Sequence, residues 1–597
     1  MKVRLSLAHQ FGTGLFLPLL TLAALAQQRP DSGVLLNEKP WPKNLPELNS
    51  STPNVVVPQV RRAMSVKDQR GWDEKVRVTG FQITGNTLFN SEILLAQIPG
   101  IKGEVVEISR IVDALESIRK YYADAGYLLT DVYLPEQQIS AKGAVVQIAV
   151  VEARIGKLIV HIAPGSGVSE QHVLELANEN LRPRTAIQKY ELEKVVYILK
   201  DRAGVDASAS LTAGANIGEA DITIDVFPSG SSRVGTSLML DNQGVRSAGE
   251  YRVTASVNVD NPFDIGDQFS FRLQPTRKSG NGFFRVGYTA PIGSGGTKLN
   301  LSVGSNVYVL GAPFEALEPS GSATVFSATV IHPLIRGRLT NVVAIGGVDF
   351  KELNDNNRFT EEFNQKISAV RVGLLGNSTS DQTHAAGVGT SASEFSSHGG
   401  ITVYSVVATA GSVTMSPDAP ARVDGSLGSF STLNFDVQRV QFFSSELSMS
   451  LSLKGQMASK NLRGSERVSY GGPTGVRGYP AASGVGDEGI LASAELRYRT
   501  PFQVLGSPLT AMVFYDTASV IAKKNPLPES TSSNSANSAN FDSVGLGFQA
   551  GKEGRSAASL SIARRLGSTY PIPTDGVGAS LESDRGSQAW FTLQKWF

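Results

Sequence analysis

The chain has 597 residues with 60 Gly, 28 Pro and no Cys, and 41% of its residues are apolar against 18% charged. Fifty-five Lys plus Arg against 54 Asp plus Glu leave a formal net charge of +1, which argues against a nucleic-acid binder and against recruitment to an anionic surface. Without Cys there is no disulfide framework, zinc ribbon, iron–sulfur cluster or thiol nucleophile, and the chain can cross an oxidising compartment without forming bridges.

Lys2 and Arg4 precede an apolar stretch from Phe11 to Leu25 that ends in Ala24-Leu25-Ala26, so residues 1–26 read as a secretory signal peptide. Gly12, Gly14 and Pro18 interrupt that stretch, and no later segment approaches about 20 consecutive apolar residues, so no spanning helix is expected. Export without a helical anchor leaves a soluble exported protein or a closed barrel, the other structure that satisfies every backbone group in lipid. Residues 27–72 carry Pro30, Pro40, Pro42, Pro46, Pro53 and Pro58 among Asn and Ser, a composition that predicts a linker or plug segment with little regular structure.

Residues 73–155 and 156–230 read as two small α+β units in tandem. In the first, Val76 to Thr84 predicts a strand, Ser91 to Ile98 a short helix, and Ile108, Ile111, Leu115, Ile118 and Tyr122 one stripe of a longer helix. Val132 to Leu134 and Val145 to Val151 supply two further strands. The order recurs as Leu158 to Ile162, Ser169 to Asn178, Tyr190 to Lys200, Ala207 to Leu211 and Asp221 to Phe227.

Residues 231–597 change to segments of about ten residues with period-two alternation between turn residues, and no helical stripe appears. Leu447, Met449, Leu451 and Leu453 alternate with Ser448, Ser450, Ser452 and Lys454. Likewise Ile490, Ala492, Ala494, Leu496 and Tyr498 alternate with Ser493, Glu495, Arg497 and Arg499. Alternation alone also fits a soluble sandwich, but roughly 365 residues at about 23 per strand and turn give about sixteen antiparallel strands, the scale of a transmembrane β-barrel. The count is least defined between Thr383 and Val413, where an even total makes one candidate strand a loop. The chain ends with Ala589, Phe591, Leu593 and Phe597 on one apolar stripe beside Trp590; Lys595 breaks the stripe, as a side chain that snorkels at a barrel rim.

These residues resemble the two-partner-secretion transporters of the haemolysin and haemagglutinin type, within the superfamily that includes BamA. In the first unit the resemblance rests on Tyr121-Tyr122-Ala123-Asp124-Ala125-Gly126-Tyr127 followed by Val132, Leu134-Pro135 and Gln137, which is similar to the family's first POTRA signature. Ala153 in Val151-Glu152-Ala153-Arg154-Ile155 departs from the family's usual Gly. In the barrel, Asp241-Asn242-Gln243-Gly244 resembles the family's first-strand ending, and Val476-Arg477-Gly478-Tyr479 its hairpin-tip tetrapeptide.

The resemblance implies two periplasmic POTRA domains, an outer-membrane barrel in contact with lipid, and a long loop, residues 458–489, folded into the lumen. It implies a carboxylate partner for Arg477 on the wall, matched by Asp516 in Phe514-Tyr515-Asp516. Parity agrees independently: with Leu509, Ala511 and Val513 towards lipid, Asp516 faces the lumen, where Glu495 competes for the same Arg. Without the family match, Arg477 reads first as a residue of a solvated extracellular loop. The family's barrels often hold an N-terminal helix as a plug; Pro30, Pro40, Pro42 and Pro46 predict a short plug or none.

The function implied is secretion of one large unfolded exoprotein, of β-helical type, from periplasm to cell surface, driven by client folding outside. Client docking is expected along the first unit, on its edge strand and beside Ile108, Ile111, Tyr122 and Tyr127. Trp590, Phe591, Leu593 and Phe597 form the expected signal to the barrel assembly machinery. A BamA-like assembly factor is the alternative, disfavoured by only two POTRA units; a porin explains the alternation but not the units.

Enzyme motifs are weak. Gly484-Val485-Gly486-Asp487-Glu488-Gly489 matches a dinucleotide pattern, but a strand follows where a helix is required. The six His are scattered outside any metal spacing, and there is no GxSxG elbow. The expectation is a transporter and not an enzyme, with no cofactor, metal or nucleic acid.

Overall fold

The computed structural model describes residues 55–56 and 75–597, apart from 99, 128, 138–142, 277–279, 313, 316–317, 359, 381–398, 417–424, 527–536, 553 and 567–585. The expected signal peptide and Pro-rich segment, with any plug, lie outside the described residues. The exception is Val55–Val56, a two-residue strand that pairs in parallel with Ala209 and Ser210. Among the described residues no helix is long and apolar enough to cross a membrane.

In the first unit a four-stranded sheet runs in the order Val105–Glu107, Lys75–Thr84, Ala144–Glu152, Thr130–Tyr133. The helix Ile108–Asp124 lays Ile111, Leu115, Ile118 and Tyr122 onto it, all buried, as the three-and-four spacing predicts. A register shift between Val78 and Gly80 turns the strand over, which is why Val76 and Val78 share the buried face with Ile83 despite odd spacing. The three-residue strand Val105–Glu107 is too short to carry a periodic signal and was not expected.

The signature residues of this unit have identifiable tasks. The Tyr122 hydroxyl donates to Glu152 at 2.7 Å, and Glu152 also accepts from the Thr87 and Leu88 amides at 2.9 and 3.0 Å, so one carboxylate ties the helix, the last strand and the turn after the first strand together. Gly126 has φ +90°, a left-handed conformation that ends the helix and that side chains disfavour. Gln137 pairs with Gln147 as a backbone would: its amide nitrogen donates to the Gln147 carbonyl and its oxygen accepts the Gln147 amide, each at 2.8 Å. Ala153, alone between the strands ending at Glu152 and starting at Arg154, is not among the positive-φ residues, so the turn does not require Gly.

The second unit repeats the plan, with the sheet order Val55–Val56, Val205–Ala213, Glu219–Pro228, Arg154–Ile162 and the helices Glu170–Asn180 and Lys189–Lys200. Val173, Leu176, Leu192, Val196, Ile222 and Ile224 fill its core.

The barrel is closed by sixteen antiparallel strands, from Val234–Asp241 to Ser587–Trp596. Among the described residues, the interval left open by the sequence contributes one strand, Gly400–Met415, paired with Thr360–Thr379 and Gly428–Phe442. The alternations read from sequence hold in space: Leu451, Leu453, Ile490, Leu496, Tyr498 and Val513 are exposed on the outer face, whereas Ser450, Phe514 and Asp516 are buried inside.

Burial pushes the Glu152 carboxyl up, but donation from Thr87, Leu88 and Tyr122 outweighs it and holds the group below its ordinary 4.5. A depressed folded-state value gives stability that is fully present above the unfolded value and is lost as pH falls through the folded one. Hydrogen exchange across Ile108–Asp124 should therefore accelerate as pH drops below about 4.5, after correction for intrinsic rates. Glu152→Gln should cost about 2 kcal/mol at neutral pH and flatten that dependence, and an unchanged pH profile in the variant would place the acid sensitivity elsewhere.

Candidate functional site

The site lies where the loop between the strands Leu447–Ala458 and Glu488–Val504 folds back as a short hairpin, Val468–Ser469 paired with Val485–Gly486. At its root Lys351 meets Glu466 at 2.6 Å, and Arg467 meets Asp487 at 3.0 Å. Val468, Tyr470, Val476 and Tyr479 pack against Leu491, Ala518, Val520, Ala539 and Phe541 of the wall. An apolar cluster thus aligns the hairpin, and the polar tip is left to meet the wall beyond it.

Two adjoining wall strands prepare that meeting. In the pairing of Glu488–Val504 with Ser507–Ile521, Ser493 lies opposite Asp516 and Glu495 opposite Phe514. Both pairs face inward, so cross-strand register and period-two alternation gather a hydroxyl, two carboxylates and an aromatic ring into one patch.

Arg477 fills this patch with only 8% of its surface exposed. Its Nε and Nη2 donate to the two oxygens of Asp516 at 2.9 and 2.6 Å, Nη1 donates to Glu495 at 2.7 Å, and Nη2 also reaches the Ser493 hydroxyl at 3.2 Å. The Arg477 amide donates to Asp516 at 3.1 Å. The guanidinium carbon sits 3.3 Å from the centre of the Phe514 ring, which covers one face of the cation. Asp516, itself fully buried, accepts further from Ser493 at 2.7 Å, and Glu495 is bridged on its other oxygen by Arg497 Nε at 2.8 Å. Two cations and two carboxylates leave the cluster formally neutral, which is what permits charge at this depth.

The two carboxylates expected to compete are therefore used together: Asp516 takes the bidentate fork and Glu495 the remaining nitrogen. The solvated-loop reading of Arg477 does not hold. The rest of the tetrapeptide is equally committed, with Val476 fully buried and Tyr479 edge-on to Phe541 at 5.0 Å. A Cβ on Gly478 would lie 2.7 Å from the Ser543 Cβ and 2.8 Å from the Arg565 nitrogen, so only Gly lets the tip approach.

Three contributors were not read from sequence. Ser493 and Phe514 carried parity but no chemical signal. Trp590 belongs to the last strand, yet its ring points inward, away from the outer-face Phe591, Leu593 and Phe597, and its indole N–H donates to the Arg477 carbonyl at 2.8 Å. The tip thus touches the seam that closes the barrel. There, Thr592 to Trp596 pair with Ser237 to Asp241, and beyond Asp241 the carboxamide of Asn242 continues the ladder, donating to the Ala589 carbonyl and accepting the Phe591 amide, each at 2.8 Å.

The expected client-docking residues fare differently. Ile111 and Tyr122 are fully buried in the first unit's own core, so these two are corrected from client contacts to core residues: the helical stripe is spent on the sheet beneath it. Ile108 and Tyr127 are half-buried. At the edge strand Thr130–Tyr133 the Val132 amide donates to Asp131 at 2.9 Å and its carbonyl accepts from Arg119, so the central peptide groups already have partners. Among the described residues no cluster of His, Asp or Glu could hold a metal ion.

The Asn242 clasp makes a prediction about the seam. Asn242→Ala removes two hydrogen bonds to backbone groups of the last strand, about 1–3 kcal/mol, and should lower the temperature at which the barrel loses its folded mobility on a denaturing gel. An unaltered transition would mean that the five-pair ladder closes the seam unaided.

The sequence profile of the haemolysin secretion/activation proteins ShlB/FhaC/HecB matches residues 218–536, and that of the ShlB-type POTRA domain matches residues 76–153. The heme/hemopexin transporter protein HuxB of Haemophilus influenzae is 26% identical over 561 residues, 92% of this chain and 93% of the relative. Among solved structures, CdiB from Escherichia coli aligns over 98% of both chains with a TM-score of 0.63 at 15% identity. BamA from Haemophilus ducreyi lacking POTRA domains 1–3 aligns over 87% of this chain and 100% of that one, with a TM-score of 0.50 at 13% identity, a likeness of fold alone. With its second unit's end, most of its barrel strands and its hairpin inside one profile and the core of its first unit inside the other, the chain belongs to the haemolysin secretion/activation family ShlB/FhaC/HecB.

Proposed function

We propose that the chain moves one large unfolded exoprotein, of β-helical type, through its barrel, with the hairpin tip fixed to the wall as a permanent part of the conduit. The family is one of outer-membrane transporters of the two-partner-secretion route, with POTRA domains in the periplasm. The observation that carries the finer reading is the set of five hydrogen bonds that seats Arg477 on Asp516, Glu495 and Ser493, which makes the tip costly to dislodge. A passive pore has no need of such an anchor, and tandem units that expose sheet edges suit a protein that receives extended chains.

The client engages the first unit by strand addition at Thr130–Tyr133, displacing the Arg119 contact to Val132 as it does so. Backbone pairing makes few sequence demands, which matches a client that is not yet folded. Phe591, Leu593 and Phe597, on the outer face of the last strand, are what the barrel assembly machinery reads during biogenesis.

Removing one partner of the buried cluster leaves an unmatched charge, at a cost of roughly 3–5 kcal/mol. Arg477→Ala and Asp516→Ala should each lower secreted client by about tenfold or more at unchanged barrel abundance, since that cost far exceeds the roughly 1.4 kcal/mol of a tenfold effect. The double variant should be little worse than either single one, because the two residues act as a unit. Full secretion by Arg477→Ala at normal abundance would take the tip out of transport. A defect that tracks lost barrel would make the cluster an assembly device instead.

A further inference from the structure

We infer that the helix Lys189–Lys200 is a strut that sets the position of the first unit over the barrel mouth, with Gln188 and Asp201 as the positioning residues at its two ends. This rests on the secretion reading above and adds to it a fixed delivery geometry. The helix has twelve residues, a span of about 18 Å, and it is bonded at each end to a different neighbour.

At its start the helix takes hold of the first unit. The Lys189 amide, one of the donors that a helix leaves without an internal acceptor, donates to the Gly126 carbonyl at 2.9 Å. The Gln188 side chain donates to the Tyr127 hydroxyl at 2.7 Å. Gly126 and Tyr127 close the aromatic signature of the first unit, so this signature serves the junction between units as well as the fold. Tyr127 is itself held by edge-on contacts with Phe89 and Tyr122, at 5.9 and 6.3 Å, which tie the junction to the first unit's core.

At its end the helix is bolted to the barrel by a reciprocal exchange of charges. Asp201 accepts a bidentate pair from Arg336, at 2.7 Å on both oxygens, and Arg336 rises from the end of the barrel strand Ser320–Arg336, fully buried. The guanidinium lies 4.7 Å from the centre of the Tyr197 ring on the helix, and its remaining nitrogen donates to Asn341 at 2.7 Å. One residue on, the direction reverses: Arg202 donates from the second unit to the carbonyls of Ile265 and Gly293, at 3.4 and 3.2 Å, in two other turns of the same rim. The Asp201 carbonyl also accepts from Lys298. Cations at the carboxyl end of the helix meet the favourable end of its dipole.

Three rim turns are thereby held by two consecutive residues. Units joined through small polar contacts swing freely by default, whereas a buried bidentate pair fixes both distance and angle. A client strand added to the first unit is then presented to the lumen at a constant place, and the loss of either end of the strut should cost delivery without touching the conduit.

The absence of Cys lets spin labels be placed without background, at Lys120→Cys in the first unit and Ser445→Cys in a periplasmic turn of the barrel, both exposed. In the full-length protein in outer-membrane vesicles, pulsed dipolar spectroscopy should give one narrow distance distribution. Asp201→Ala and, independently, Gln188→Ala should each broaden it at least twofold and reduce secreted client several-fold at equal barrel abundance. Asp201→Glu, which keeps the charge, should recover most of both. Gln188→Ala alters a half-buried side chain outside the core, so it reads the strut even if Asp201→Ala fails to assemble. A distribution that stays narrow in Gln188→Ala overturns the strut, and so does broadening with full secretion. The distance is measured without client, so a failed secretion reading and a failed strut give different results.

Discussion

A guanidinium inside a membrane-embedded barrel is tolerated only if every donor and the whole charge are matched on the spot, and the architecture around Arg477 follows from that constraint. The matching groups come from two neighbouring strands as two directly opposed pairs, Ser493 with Asp516 and Glu495 with Phe514. A slip of one residue by either strand would turn its two members of the set towards lipid and leave the other two without their partners. The site is therefore only as secure as the register, and the register is secured by closure of the whole sheet, which leaves no free edge along which a strand could slide.

Closure depends on a weaker element. The first and last strands share five residue pairs, against ten to seventeen for the long wall pairings around Val343 or Asp516. Side-chain amides take over where backbone runs out, Asn242 at the barrel seam and Gln137 in the first POTRA sheet, each donating and accepting as a peptide group does. Trp590 sits between the two residues that Asn242 binds and donates to the tip itself, so seam, last strand and hairpin form one connected set of hydrogen bonds.

Much of this was legible before the fold was known, and the reasons are specific. Period-two alternation is a local property, so the inward direction of Glu495 and Asp516 could be read from their own strands. The helix stripe at Ile108 to Tyr122 was equally plain. Its meaning was not, because an apolar stripe looks the same whether it covers a sheet or waits for a client, and Ile111 and Tyr122 proved to cover the sheet. Asn242 and Trp590 carried no local signal of their contacts, which join positions more than 100 residues apart in the chain. Asp201 and Arg336 were hidden for the same reason, as an ordinary helix end and an ordinary strand end.

Transport through a barrel whose tip stays anchored can be tested directly. Tyr479→Cys and Phe541→Cys replace two rings whose centres lie 5.0 Å apart across the hairpin and the wall, in a chain with no other Cys. A short, cleavable bifunctional thiol reagent can then tether the tip where it sits, and secreted client can be measured before and after cleavage of the tether. The tethered protein should secrete as well as the same variant after cleavage. Secretion that stops on tethering and returns on cleavage would mean that the tip has to leave its seat for the client to pass.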